Sequence, residues 1–87
     1  MTRRIFRYTV PVDGQAHTFE LTSGPLHVET TSDGMEFWAE HDTAKPAYRR
    51  AFRVFGTGHP LPDEAAGVGT GGRTQGGYVG HLFEVAP

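Results

Sequence analysis

Along most of this chain apolar and polar residues alternate with a period of two, the pattern of strands with one buried face. In residues 5–12, IFRYTVPV, the side chains of Phe6, Tyr8, Val10 and Val12 share one face, and Arg7 and Thr9 take the other. His17, Phe19 and Leu21 then alternate with Thr18 and Glu20. Asp13-Gly14 stands between these runs and is a favoured hairpin pair, so the two are expected to pair with each other. After a break at Ser23-Gly24-Pro25, Leu26 and Val28 are expected inward and His27 and Glu29 outward. Ser32-Asp33-Gly34 reads as a third turn. Met35, Phe37 and Ala39 then share a face opposite Glu36, Trp38 and Glu40, with the reverse orientation of Trp38 and Phe37 left open.

Residues 42–47 contain Pro46 and read as a loop. In the next strand Phe52 and Val54 lie on one side and Arg53 and Phe55 on the other. In the last, Val79, His81, Phe83 and Val85 alternate with Tyr78, Leu82 and Glu84. Nowhere does a 3.6-residue apolar period persist. Residues 62–66, PDEAA, have room for one helical turn. Residues 67–77, GVGTGGRTQGG, read as a loop or open hairpin with a short strand at 67–70. The expected fold is all-β, a small antiparallel barrel or sandwich of about six to seven strands with no substantial helix. Several strands carry aromatics on both faces: Phe37 and Trp38, Phe52 and Phe55, Tyr78 and Phe83. The second face is then either an outer patch on a barrel or an interface.

Length and composition sharpen this picture. The 87 residues make one domain, 1–87. Such a chain buries only about 60–65% of its unfolded surface, so it builds one modest core. Apolar residues are 37% but aromatics reach 11%, so a few large side chains carry the burial. A net charge of −2 makes nucleic acid an unlikely partner and argues against binding to a membrane surface. No cysteine is present, which removes disulfides and thiolate metal sites and favours a reducing cytoplasm. Arg3 and Arg4 resemble the start of a twin-arginine signal, but no apolar segment follows and none is expected to act as one.

The candidate chemistry concentrates in residues 52–62, FRVFGTGHPLP. Gly56, Thr57, Gly58 and His59 could converge backbone amides, a hydroxyl and an imidazole on a small anionic ligand. The same glycines, stopped by Pro60, would equally make a tight turn. No long helix follows and no nucleotide fingerprint is matched. His81 could join His59 if the two strands pair, or could be a hydrogen-bonded histidine near the core. Arg49, Arg50 and Arg53, with Tyr48 and Phe55, could hold a nucleotide or an acidic partner, with Arg53 the arginine of the candidate site. Alternatively, these arginines pair with Glu36 and Glu40 across a sheet. Trp38 and Phe55 are candidate interface residues. His17, His27 and His41, with Glu29 or Asp42, lack metal-ligand spacing, so no metal or other cofactor is expected. Ser23 and Ser32 lie in turns, so no nucleophile is apparent. Glu36 and Glu40, about 13 Å apart along a strand, are too far apart for a glycosidase pair.

These motifs resemble a family of uncharacterised small proteins of bacteria and their phages. The resemblance rests on Phe6-x-Tyr8, Phe37-Trp38-Ala39, residues 52–62 with GTGHP, a GVGT segment at 67–70 or the YVG at 78–80, and HLFE within Gly80–Val85. It implies a phage or mobile-element accessory protein and brings no activity with it. The leading expectation is a non-catalytic binding or interaction module whose partner is another protein or itself, as a homo-oligomer. The alternatives are a small enzyme using His59 or His81 on a phosphate or carboxylate ligand, and a structural oligomeric phage component.

Overall fold

The computed structural model describes residues 2–32 and 34–86. Among them are seven strands and no helix: β1 Arg3–Pro11, β2 His17–Leu21, β3 Pro25–Thr30, β4 Gly34–Asp42, β5 Tyr48–Gly56, β6 Ala66–Thr70 and β7 Gly80–Val85. One sheet has the order β1-β4-β3 and the other β2-β5-β7-β6, and every pairing is antiparallel. The sheets do not close into a barrel. They stack as a sandwich measuring 42 × 29 × 16 Å.

Phe37 is the hub of the core and is fully buried. Its ring stacks on Tyr8 at 4.9 Å, meets Phe19 edge-on at 5.4 Å and tilts against Phe52 at 5.1 Å. Tyr8 belongs to Phe37's own sheet, whereas Phe19 and Phe52 come from the other, so these rings join the two layers. Val10, Met35, Val54 and Leu82 fill the space around them. The expected inward positions of Phe37, Phe52, Val54 and Val28 hold, and Trp38 lies on the outer face.

The expected hairpin between the first two runs does not form. β1 pairs with β4 and β2 with β5, in different sheets. By crossing over, the chain brings Tyr8 and Phe19 together at 5.7 Å from opposite layers. Asp13 shapes this crossover. Its carboxylate hydrogen-bonds the His17 ring and accepts the Gln15 N–H, each at 3.0 Å. Those bonds, His17 first, hold the Asp13 carboxyl below the usual carboxylate range.

Local departures have local causes. A bulge between Pro25 and His27 leaves Leu26 exposed rather than inward. Before the start of β3, the Thr22 hydroxyl accepts the Asp42 N–H and donates to the Glu40 carbonyl, extending the β4 ladder. Residues 62–65 close as a turn, with the Ala65 N–H donating to the Pro62 carbonyl, so no helical turn forms there. At the seam where β3 meets β6, a Cβ on Gly69 would stand 2.7 Å from Val28, which is why that edge is glycine. The Ser32-Asp33-Gly34 turn includes Asp33, outside the described residues; beside it the Thr31 N–H donates to the Gly34 carbonyl at 2.8 Å.

The arginines do not pair with Glu36 and Glu40 as a β4–β5 neighbourhood would require, because those strands lie in different sheets. Glu36 and Glu40 pair instead with Arg7 and Arg3 of β1. Arg50 donates to Glu84 at 2.8 and 2.7 Å, at one end of the core beside Phe52. These bonds hold the Glu84 carboxyl below its ordinary range. The folded-state value is thus lower than the unfolded one, so the stabilisation is present above the unfolded value and lost as pH falls through the folded one. Glu84→Gln should cost about 1 kcal/mol in urea denaturation at neutral pH. That difference should shrink as the pH falls through the acid range in which the carboxyl protonates.

Candidate functional site

β5 carries the site because both of its faces are covered. Phe52 and Val54 face the core, while Arg53 and Phe55 face away from it. Phe55 is only 3% exposed even so. The Arg53 guanidinium lies 4.6 Å from its ring centroid, and Phe83 of β7 meets it edge-on at 5.6 Å. An outward aromatic on a β-sheet buries itself when neighbouring side chains and a folded-back loop cover it. Phe55, expected alongside Trp38 as a contact residue, is therefore a floor rather than an exposed surface. Trp38 stands partly exposed on the outer face of the other sheet, 5.7 Å from the His27 ring.

The turn at the end of β5 is closed twice. The His59 N–H donates to the Gly56 carbonyl at 3.2 Å. The Gly56 N–H donates to Nδ1 of the His59 ring, also at 3.2 Å. Gly58 has φ +90° and Thr57 has no positive φ, which is the pattern of a type II turn and requires glycine at that position. Because Nδ1 accepts, neutral His59 carries its proton on Nε2, which has no partner among the described residues.

His81 is opposite Phe55 in the β5–β7 register. It therefore lies on the outer face of its sheet, while its neighbour Leu82 enters the core. The reading of His81 as a histidine near the core is corrected accordingly. Its Nε2 hydrogen-bonds the Thr57 hydroxyl at 2.8 Å and its Nδ1 the Thr70 hydroxyl at 2.9 Å. A neutral imidazole has one donor and one acceptor, so one threonine accepts and the other donates. His81 thus ties the turn after β5 to the end of β6.

His59 and His81 line one hollow of about 210 Å³, floored by Phe55, Phe83 and Leu61. Gly56, Thr57 and Gly58 complete its wall, and Arg53 stands beside it on Phe55. A second hollow of about 420 Å³ shares Gly56, Thr57 and His59 and continues to Arg73, Tyr78 and Val79. Arg73, Thr70 and Tyr78 were not among the sequence candidates. Arg73 did carry a signal: it is the one charged residue in the glycine-rich stretch 67–77. A roomier hollow of about 460 Å³, between Val12, Thr31, Gln75 and Tyr78, has no charged side chain in its described lining.

The other histidines are dispersed. His17 meets Asp13, His27 leans on Trp38, and His41 stacks on Phe6 at 5.5 Å. No group of three or more His, Asp or Glu side chains among the described residues is placed to hold a metal ion. No described helix is long and apolar enough to cross a membrane.

The chain belongs to the family described as a domain of unknown function, DUF7352, which matches residues 1–87. No curated protein and no solved structure matches it.

The geometry of the turn predicts which substitutions it resists. Gly58→Ala should lower stability by about 1 kcal/mol or more, since alanine is strained at positive φ. Thr57→Val, which removes one His81 partner, should cost about 0.5–1.5 kcal/mol. Both are read by thermal or urea denaturation.

Proposed function

We propose that this domain is a non-catalytic binding module and that its site is the hollow at the shared end of β5 and β7. The observation that carries this reading is the fixation of both imidazoles. His81 has each ring nitrogen engaged by a threonine. His59 has one nitrogen held by its own backbone turn. Such rings make preorganised walls, which lower the ordering cost of binding. A general acid–base pair needs a nitrogen free to take and return a proton, and only Nε2 of His59 meets that condition. This weighs against the small-enzyme alternative. The apolar floor of Phe55, Phe83 and Leu61 beneath a polar rim is the usual composition of a small-ligand site.

Three wider readings accompany it. The resemblance to small proteins of bacteria and their phages supports an accessory role in a phage or mobile element. The cysteine-free composition supports a cytoplasmic setting. Trp38, on the outer face of the β1-β4-β3 sheet with Ile5 62% exposed nearby, supports self-association through that face. Light scattering should then report an oligomer that Trp38→Ala converts to a monomer. A monomeric wild-type protein at high concentration would end the oligomer reading.

The binding reading itself is tested by titrating the labelled protein with a set of small aromatic acids, amides and alcohols. Perturbed amide resonances should cluster at residues 55–59 and 81–83. His59→Ala should weaken the best binder about tenfold, the worth of one good hydrogen bond. Scattered or absent perturbations would count against a site here.

A further inference from the structure

We infer that the ligand of this hollow is an apolar group ending in a carboxylate, either a small monocarboxylic acid or the C-terminal residue of a polypeptide. The inference rests on the binding-module reading and specifies its chemistry. The two hollows meet at Gly56, Thr57 and His59, and their other walls differ in kind. One side is apolar, with Phe55, Leu61 and Phe83. The other side has Arg73 and the ring of Tyr78. A molecule spanning both must be apolar at one end and polar at the other.

The charge at the polar end selects the headgroup. Arg73, like Arg53 beside the apolar hollow, has no acidic partner among the described residues, in contrast to Arg3, Arg7 and Arg50. His59 sits at the junction, and its turn requires Nδ1 to accept the Gly56 N–H. In that bond it offers an N–H donor at Nε2. One guanidinium fork and one imidazole N–H supply donors for the two oxygens of a planar carboxylate. The apolar compartment, at about 210 Å³, is large enough for one aromatic or branched aliphatic side chain.

The test compares 3-phenylpropanoate with its neutral amide, 3-phenylpropanamide, by amide-resonance titration of the full chain. The acid should bind about tenfold more tightly than the amide and should shift residues 56–59 together with 73–79. Arg73→Gln should erase the preference, bringing the acid down to the affinity of the amide. A short peptide ending in phenylalanine, with a free or an amidated C-terminus, identifies the source. Tighter binding of the free-ended peptide than of the small acid assigns the site to polypeptide ends, and the reverse order assigns it to small acids. Equal affinity for acid and amide at the hollow would overturn the carboxylate inference and leave the binding module standing. Tighter binding of inorganic phosphate at Arg73 and His59 would also overturn it. If neither the acid nor the amide perturbs the hollow, both readings fall together.

Discussion

The double burial of β5 is the constraint on which the rest of the structure depends. In a strand, successive side chains point to opposite faces. A strand with one solvated face would need a large apolar residue only at every second position. β5 has Phe52 and Val54 in the core and Phe55 buried on the opposite side. The inner residues meet Phe37 and the other sheet. The outer one needs its own cover, which comes from Arg53, Phe83 and the chain after the strand. Once that cover is in place, the chain leaving β5 must reverse tightly over Phe55, and the glycine turn follows from that need.

The turn is more than a corner because its side chain closes it as well as its backbone. The His59 imidazole takes the N–H of Gly56 while the His59 N–H returns to the Gly56 carbonyl. His81 then links that turn to β6 through two hydroxyls. Neither contact is a large stabilising term alone, each being worth about 1 kcal/mol. Together they limit the conformations open to residues 56–59, where a glycine-rich segment would otherwise be mobile. The hollow is consequently a property of the folded sandwich rather than of a loop that closes on arrival of a ligand.

Much of the architecture was legible in the residues, for a physical reason. Period-two alternation reports which face of a strand is buried, and it placed Phe37, Phe52, Val54 and Val28 correctly. It does not report which strand lies alongside. Asp13-Gly14 fits a hairpin and a crossover equally well, and nothing local separates them. The same blindness to pairing put the arginines of β5 beside Glu36 and Glu40, whereas Arg50 meets Glu84 from the far end of the sequence. Alternation also stops short at the bulge, where Leu26 turns outward. In the site, GTGHP stood out locally, and its closeness to His81 depended on the β5–β7 register. Arg73 went unnoticed because flexible-looking glycine segments give no sign of what they face once folded.

Its own histidines hold the site rigid. Long-range proton–nitrogen correlation spectra of the imidazole rings test it most directly, at pH about 8 where an ordinary histidine is neutral. His59 should appear as a single Nε2–H tautomer with an unprotonated Nδ1. His81 should likewise show one fixed tautomer, with both nitrogens hydrogen-bonded. Averaging of both rings between tautomers, as in a solvated imidazole, would mean that the rings are free and the site is not held.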